Sequence, residues 1–297
     1  MPNGILLLDK PQGLTSNGAL QRVRKAFGAK SAGHVGTLDP MATGMLPICL
    51  DEATKVIAEI ESGAKAYDFT IQLGARTDTG DAEGEVVETR PVSVPDAASL
   101  EAVLARFRGV QQQVPPMYSA LKRDGRPLYE LARKGIEVDR PARTIELHRL
   151  DLRDQGADFL SLSCECAKGT YIRVLGEDIA RALGTVGHLS RLRRTWVAPF
   201  RDMPMVSLDA ALEGARNEQR NLLQPDAALQ GLPEAGLTAE QVTLVRNGQT
   251  VRSATRPATE PGSRVRLYGP RGEFLGLAEA LAEGQLQPRR LLRIDAT

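Results

Sequence analysis

The segment best suited to catalysis covers residues 33–44 and reads GHVGTLDPMATG. Its three glycines let the backbone approach a ligand closely or adopt positive φ angles. Pro40 restricts Asp39 to extended or turn conformations, so the Asp39 carboxylate stands on a stiff backbone. In an isolated Asp-Pro pair the aspartate more often caps the element that follows. Here the glycines, His34 and the apolar strands predicted on either side favour a catalytic site.

A second candidate segment covers residues 168–173, KGTYIR, where a predicted strand meets a predicted helix. Free backbone N–H groups and the helix dipole favour anions at a helix start. Arg173 stands close enough to that start to reach a carboxylate or a phosphate, although a lone arginine there is usually solvated. Tyr67 opens a strand on its apolar face, so we expect a buried ring whose hydroxyl needs a partner. Core packing is the commoner role of such a tyrosine.

Several common active-site signatures are absent from the sequence. It has no phosphate-binding G-x-x-x-x-G-K-[ST], no G-x-G-x-x-G, no H-E-x-x-H and no G-x-S-x-G. This weighs against NTPases, dinucleotide enzymes, zincins and common serine hydrolases. The three cysteines (Cys49, Cys164 and Cys166) lack zinc-like spacing and are expected to pack in a reducing compartment. We therefore expect no metal site.

The elements that must position these segments follow from apolar periodicity. Residues 5–8 predict a buried strand, and a short strand is predicted to follow the glycine-rich segment up to residue 50. A helix is predicted behind the cap candidates Ser16 and Asn17, from apolar residues at helical spacing: Leu20, Val23 and Phe27.

Further along the chain, strands and helices are predicted to alternate with two loops. Strands are predicted from residue 67, near 143–153 and near 159–167. Two helices are predicted from apolar stripes, one with Leu100, Val103, Leu104 and Phe107, the other with Ile172, Leu175, Ile179 and Leu183. Residues 77–85 are predicted to be an exposed acidic loop, and residues 110–126 a loop-like insertion.

Length and composition predict a globular protein of two domains. The chain has 297 residues, of which 42% are hydrophobic and 25% are charged. After about residue 230, short apolar pairs alternate with turn signals, which is typical of a small β-rich module. We predict an α+β fold: a catalytic domain over residues 1–230 with a central mixed or antiparallel sheet and flanking helices, then a β-rich domain over residues 235–297.

The charge distribution is uneven although the net charge is only +1. Residues 68–88 carry −5, and the rest of the chain carries +6. Basic clusters can neutralise phosphates, and a solvated surface is an equally good interpretation of any one cluster. The clusters lie within residues 122–149, at Arg191, Arg193 and Arg194, and in the tail at Arg246, Arg252, Arg256, Arg264, Arg266, Arg271, Arg289, Arg290 and Arg293.

The sequence also bears on location. No run approaches the roughly 18 to 20 apolar residues that span a bilayer. Asp9 and Lys10 interrupt the first apolar run before any cleavage-like site. We expect a cytoplasmic protein that does not bind membranes.

Motifs spread in order over residues 5–200 are similar to those of one family. Residues 33–44 resemble the catalytic signature of the TruB-type tRNA pseudouridine synthases. The tail, which ends in PRRL at residues 288–291, resembles the small RNA-binding PUA module that follows this catalytic domain. The other matching segments are LLDKP at 7–11, MLP at 45–47, EATK at 52–55, RTDT at 76–79, PMYSALK at 116–122, KGTYIR at 168–173 and LRR at 192–194.

The resemblance implies that the protein isomerises a uridine, conventionally position 55 in the T loop of tRNA, to pseudouridine. This reaction has no redox change and no group transfer, so no cofactor is expected. A carboxylate is a known form of nucleophilic catalyst, and the target base must leave its stack to reach the pocket. The resemblance implies a role for each matching residue: Asp39 is catalytic, Tyr67 lies against the flipped base, His34 fills the space that the nucleotide vacates, Tyr171 and Leu192 line the pocket, Arg173 pairs with Asp39, and Lys10 supports the site.

The resemblance also implies partners. An insertion over residues 110–149 is expected to grip phosphates of the tRNA T-arm stem-loop, which fits recognition of a folded RNA shape. We expect a monomer without an obligatory protein partner.

Two alternatives come from other classes of protein. A non-catalytic RNA-binding or RNA-folding protein would use the PUA-like tail and the basic clusters, but it would not need Asp39, Tyr67 and Arg173 together. A related enzyme could act on rRNA within a guide-RNA particle. The acidic segment 77–85 and the long basic insertion fit the stand-alone type better.

Overall fold

The strands of this computed structural model follow the apolar runs and alternations of the sequence. The structure describes residues 2–93, 95–123, 125–217, 221–252 and 260–293; Arg256 of the basic tail and the last four residues of the predicted C-terminal domain lie outside them. The strands are β1 (Gly4–Lys10), β2 (Ala32–His34), β3 (Thr43–Leu50), β4 (Lys65–Leu73), β5 (Ala75–Thr77), β6 (Val86–Thr89), β7 (Gly109–Gln113), β8 (Lys122–Arg123), β9 (Arg126–Pro127), β10 (Arg143–Gln155), β11 (Phe159–Cys166), β12 (Gly187–Val197), β13 (Val206–Ser207), β14 (Glu234–Gly236), β15 (Val251–Arg252), β16 (Arg264–Tyr268), β17 (Phe274–Ala280) and β18 (Gln285–Leu291).

The helices start where the sequence offers side-chain caps or strand-to-helix junctions. They are α1 (Ser16–Phe27), α2 (Ile57–Glu61), α3 (Ala97–Ala105), α4 (Leu128–Ala132), α5 (Ile172–Ala182), α6 (Leu208–Arg216) and α7 (Ala239–Arg246), with 3-10 turns at Asp51–Val56, Pro225–Leu229 and Ala282–Gly284. Among the residues described, no helix is both long enough and apolar enough to span a membrane.

A mixed sheet forms the centre of the larger part of the molecule. Its order within the described chain is β13-β1-β3-β12-β4-β11-β10-β7, with β2 paired to β3. β1 and β13 run parallel, as do β3 and β12, whereas the other neighbours are antiparallel. Helices α1, α5 and α6 pack on one face over the main apolar core. This arrangement, with the separate sheet at the C-terminus, confirms the predicted α+β fold class.

The start of α1 differs from the prediction. Thr15 caps the helix by accepting a hydrogen bond from the Gly18 N–H, so the cap precedes the two candidates Ser16 and Asn17. Ser16 is instead buried, and its Oγ donates to Leu38 O at 2.9 Å and accepts from Leu38 N at 2.8 Å. A cap candidate and a buried tether use the same hydroxyl chemistry, which is why the sequence does not separate them. Ser16 thereby ties α1 to the residue before Asp39.

The prediction of an exposed acidic loop at residues 77–85 is wrong for its centre. Asp81 is 3% exposed, and its Oδ1 accepts hydrogen bonds from Thr79 Oγ1 at 2.6 Å and from Glu83 N at 3.1 Å. Thr77 is buried too, and its hydroxyl donates to Asp81 O at 2.7 Å. The acidic side chain is tolerated there because Arg173 lies beside it, with Arg173 Nε 3.8 Å from Asp81 Oδ2.

Residues 110–126 are not simply a loop. Strand β7 pairs with β10 and forms one edge of the central sheet, from Gly109 opposite Leu147 to Gln113 opposite Arg143. Exposed Val110 and Gln112 give this edge strand a weak apolar pattern, which explains why the sequence favours a loop. The segment that leaves the sheet is residues 114–142, called the insertion from here on, with the hairpin β8–β9 and the short helix α4.

Residues 234–291, the C-terminal module, form a second sheet in the order β14-β16-β17-β18-β15 around an apolar core of their own. Leu277 of this module also joins an apolar cluster with Ile5, Val56 and Ile60 of the larger part. Lys55 Nζ donates to Leu291 O at 2.7 Å, which adds a polar contact. The β-rich prediction for the tail is therefore confirmed, and the module shares a buried surface with the rest of the chain.

Candidate active site

A cavity of about 380 Å³ opens where β4, β12, the start of α5 and the insertion meet. Five of the seven residues singled out from the sequence line it: Asp39, Tyr67, Tyr171, Arg173 and Leu192. They come from chain segments more than a hundred residues apart. Other lining residues include Gly36, Glu61, Lys65, Ser119, Lys168 and Arg194.

Asp39 lies in the loop between β2 and β3, residues 35–42, called the Asp39 loop from here on. The backbone beside it is held firmly, because Lys10 Nζ donates to Pro40 O at 3.3 Å and Gly13 N donates to the same oxygen at 2.8 Å. Lys10 is buried beneath the loop, where burial lowers its pKa to about 8 against the attraction of Asp39 and Glu83. Lys10 therefore supports the loop from below and does not line the cavity.

Arg173 makes the closest charged contact with Asp39. Its Nε lies 3.0 Å from Asp39 Oδ2, while Nη1 donates to Thr79 O at 2.7 Å and Nη2 to Tyr118 O at 2.6 Å. With Asp81 at 3.8 Å, the guanidinium joins the acidic segment, the insertion and the Asp39 loop. A buried, fully engaged arginine has little freedom, so it orients the carboxylate as well as balancing its charge.

Burial governs the proton affinity of Asp39. It raises the pKa of the carboxyl above its ordinary value, the Arg173 charge lowers it, and the Asp81 charge raises it again. The net direction is upward, so Asp39 is a more basic carboxylate than an exposed aspartate. A carboxylate of this kind is suited to attack carbon or to accept a proton.

Two tyrosines form opposite walls of the cavity. Tyr67 on β4 is 8% exposed, and burial raises the pKa of its phenol to about 12 although the Arg194 guanidinium lowers it. Tyr171 precedes α5, and Gln113 fixes its backbone by accepting from Tyr171 N at 2.8 Å and donating to Tyr171 O at 3.1 Å. Leu192 on β12 completes the apolar wall. Two phenols and a leucine suit a planar base.

His34 is the one candidate that the structure neither places in the cavity lining nor packs against Asp39. It ends β2 opposite Ile48, and its buried Nδ1 has no hydrogen-bond partner among the described residues. Burial and the Arg194 charge both lower its pKa, so the ring is neutral at pH 7. Its function in replacing a flipped nucleotide stays a prediction.

Arg193 and Arg194 contradict the surface interpretation of their cluster. Arg194 is 1% exposed, and Arg193 binds both carboxylate oxygens of Asp9, at 2.9 and 2.8 Å. The signal for Arg194 was present, because residues two apart on a strand share a face and Leu192 was already assigned to the pocket. Lys65 follows the same rule relative to Tyr67. Charge alone suggested solvent for both, and the strand period should have prevailed.

Asp81 was missed for a different reason. It lies in a glycine-rich acidic segment whose composition is typical of an exposed loop. No periodicity marks it, and only contact with Arg173 reveals its place. Among the described residues, no group of three or more His, Cys, Asp or Glu side chains could hold a metal ion.

Family models match consecutive parts of this chain. The model described as the TruB family pseudouridylate synthase N-terminal domain matches residues 24–172. The tRNA pseudouridylate synthase B C-terminal domain matches residues 173–230, and the C-terminal model of pseudouridine synthase II TruB matches residues 233–292.

Curated proteins resemble the chain over nearly its whole length. The tRNA pseudouridine synthase B of Aromatoleum aromaticum is 50% identical over 297 residues, which cover 99% of this chain and 94% of that protein. The protein of the same name from Burkholderia mallei is 48% identical over 294 residues, covering 98% and 97%.

Among solved structures, a chain from the crystal structure of a Cbf5-Nop10-Gar1 complex superposes with a TM-score of 0.72 at 23% identity. The match covers 99% of this chain and 84% of that one, and at this identity it speaks for the fold alone. The family models and the relatives at about 50% identity speak for more. This chain belongs to the TruB family of pseudouridylate synthases.

Proposed function

We propose that this chain is an isomerase that converts a uridine of tRNA to pseudouridine, and that Asp39 is its catalytic carboxylate. The relatives at about 50% identity, each named tRNA pseudouridine synthase B, support the reaction and the substrate. One observation carries the assignment of Asp39: its carboxylate meets Arg173 at 3.0 Å on the wall of a cavity that two tyrosines also line.

The reaction explains why such a cavity is needed. The bond from C1′ of the ribose to N1 of uracil breaks, the base turns, and a bond from C1′ to C5 forms, while C5 loses a proton and N1 gains one. Atoms and electrons balance within the nucleotide, so neither a redox partner nor a group donor takes part. The detached base must be retained during the turn, and the walls of Tyr67, Tyr171 and Leu192 suit this task. Arg173 holds Asp39 ionised and oriented.

The preferred uridine is proposed to be position 55 in the T arm of tRNA, and the enzyme to act as a cytoplasmic monomer. Exposed basic side chains on the insertion support contact with an RNA backbone: Lys122, Arg126, Arg133 and Lys134. The buried, unbridged thiols of Cys49, Cys164 and Cys166 fit a reducing compartment. Residues 1–230 would hold the chemistry, and residues 235–297 would add RNA contacts.

The direct test incubates the protein alone with unmodified tRNA and maps pseudouridine by base. We expect conversion at position 55 and none in tRNA with cytidine at that position. Asp39→Asn should still bind tRNA and should lose at least about a thousandfold in single-turnover rate, because the amide cannot supply the anionic oxygen. Asp202→Asn, which changes an exposed aspartate, is the matched control.

The test also separates the two alternatives. A non-catalytic RNA-binding protein would bind the tRNA without forming pseudouridine. An enzyme of a guide-RNA particle would be inactive alone and would modify rRNA only with added guide RNA and proteins. An Asp39→Asn variant within tenfold of the unmodified protein would reject the assignment of the carboxylate. A T-arm stem-loop that fails where whole tRNA succeeds would reject the T arm as a sufficient substrate.

A further inference from the structure

Arg194 is a fully buried cation for which the chemistry above has no use. Its guanidinium does not rely on a carboxylate and donates to three backbone carbonyls. Nε donates to Met45 O at 2.7 Å, and Nη2 donates to Val35 O at 3.0 Å and to Gly36 O at 3.1 Å. Met45 belongs to β3, whereas Val35 and Gly36 begin the Asp39 loop. Arg194 therefore clamps the entry of that loop to the central sheet.

The opposite side of the same guanidinium meets Tyr67. Arg194 on β12 and Tyr67 on β4 are paired directly across the sheet, and both line the cavity. The remaining nitrogen, Nη1, faces Gly36: a Cβ built on Gly36 would lie 2.9 Å from it. The charge of Arg194 and its hydrogen bond to the phenol lower the pKa of Tyr67, while burial raises it more. Tyr67 therefore stays a neutral phenol at pH 7.

The chemistry of the two groups decides the direction of their hydrogen bond. A guanidinium has only donors, whereas a phenol can donate once and also accept. Arg194 must therefore donate to Tyr67 Oη. The Tyr67 proton is left free to point away from Arg194, and the cavity lies on that side.

We propose that Arg194 is a positioning residue: it turns the Tyr67 hydroxyl proton toward the bound nucleotide and holds the Asp39 loop in place against Tyr67. The identity of the nucleotide rests on the proposed function. Arg194 would thus act through the two residues on either side of the reacting base. It would not itself need to touch the substrate.

A double-mutant cycle tests the part that runs through Tyr67. We expect Arg194→Lys to lower the single-turnover rate about 10- to 100-fold while KM changes less than about threefold. In a Tyr67→Phe background the same change should cost less than about threefold, because the hydroxyl it positions is already absent. Losses that simply multiply would show that Arg194 acts independently of Tyr67 and would overturn the proposal.

A second measurement is independent of activity. 3-Fluorotyrosine at position 67 lowers the phenol pKa, so its ionisation can be followed by ¹⁹F NMR while the protein is folded. Replacing the charge in Arg194→Met should raise that pKa by about one pH unit or more. Cys164 and Cys166, which also lie near Tyr67, are left unchanged. An unchanged ionisation in the folded variant would overturn the proposal.

Controls separate positioning from stability. Arg193→Lys, on the same strand, breaks the paired contact with Asp9 and should leave both readouts unchanged. If Arg194→Met does not fold, Gly36→Ala displaces Nη1 without removing the guanidinium, and the same rise in pKa is expected. A protein that makes no pseudouridine but shows the ¹⁹F response would contradict the proposed function and leave the contact between Arg194 and Tyr67 standing.

Discussion

Asp39 carries its charge where burial opposes it, and this has consequences for pH. Its pKa is raised above the ordinary 3.8 even with Arg173 beside it. The single-turnover rate should therefore rise with pH through a midpoint above that value and then level off, because only the carboxylate is active. A midpoint at or below 3.8 would contradict the raised pKa.

Stability should change in the opposite sense. A carboxyl whose folded pKa is raised favours the folded state below the unfolded pKa, and this contribution is lost as pH rises through the folded pKa. Asp39→Asn removes the loss, so its free energy of unfolding should gain on that of the unmodified protein between about pH 4 and pH 8. Denaturant unfolding across this range checks the trend. A variant whose relative stability falls as pH rises would refute it.

Tyr67 combines an aromatic face with one hydroxyl, and two substitutions separate them. Tyr67→Phe should keep stacking and be strongly slowed, because only the hydroxyl is lost. Tyr67→Ala should also weaken binding of the flipped nucleotide, since stacking is worth about 1–3 kcal/mol per base. Single-turnover rates and binding to tRNA measure the two effects. Equal, mild losses in both variants would instead indicate a tyrosine that only packs in the core.

At the scale of elements, Ser16 joins helix α1 to the Asp39 loop. Ser16→Ala leaves Leu38 N and Leu38 O buried without these hydrogen bonds, at about 1–3 kcal/mol for each unsatisfied group. We expect a lower free energy of unfolding and a lower kcat, because a small displacement of Asp39 is costly. Denaturant titration and single-turnover assays provide both measurements.

The neighbour Asn17 supplies the control for that element. It is exposed, and its Oδ1 only accepts from Gln21 Nε2 at 3.3 Å. Asn17→Ala should change stability by less than about 0.5 kcal/mol and leave kcat unchanged. If Ser16→Ala behaves like Asn17→Ala, the hydrogen bonds to Leu38 do not hold the loop.

At the scale of the whole molecule, the C-terminal module is both a partner of the core and a candidate RNA contact. Its Leu277 packs with Val56 and Ile60, so truncation near residue 230 would expose apolar surface. Substitution is the cleaner test. Arg271→Gln with Arg290→Gln changes two exposed side chains. If both touch phosphates, KM for tRNA should rise and the salt dependence of binding should fall by about one slope unit for each contact.

Contacts far from the reacting base stabilise ground state and transition state alike, so the single-turnover rate at saturating tRNA should not change. Arg252→Gln, which breaks an exposed pair with Glu283, tests whether any arginine of the module has the same effect. A double variant that binds tRNA normally but turns it over slowly would contradict this division of labour.

The sequence by itself determined the elements whose signals are local. The alternation from Tyr67 predicted β4, the helical spacing of Leu20, Val23 and Phe27 predicted α1, and the stiff Asp39-Pro40 pair among glycines marked the catalytic loop. These signals depend on neighbours within a few residues, so they survive without knowledge of the fold. The family motifs extended them to the likeness of the chain as a whole.

Tertiary structure alone decided which charges are buried and which side chains meet. Arg194 faces Tyr67 because β12 pairs with β4 in one register, although 127 positions separate the two residues in the chain. Asp81 is buried only because Arg173 arrives from α5, and His34 lies outside the lining because β2 pairs with β3. Burial and contact depend on the register and packing of distant strands. No local pattern of residue types encodes that register, so the sequence named most of the site without its arrangement.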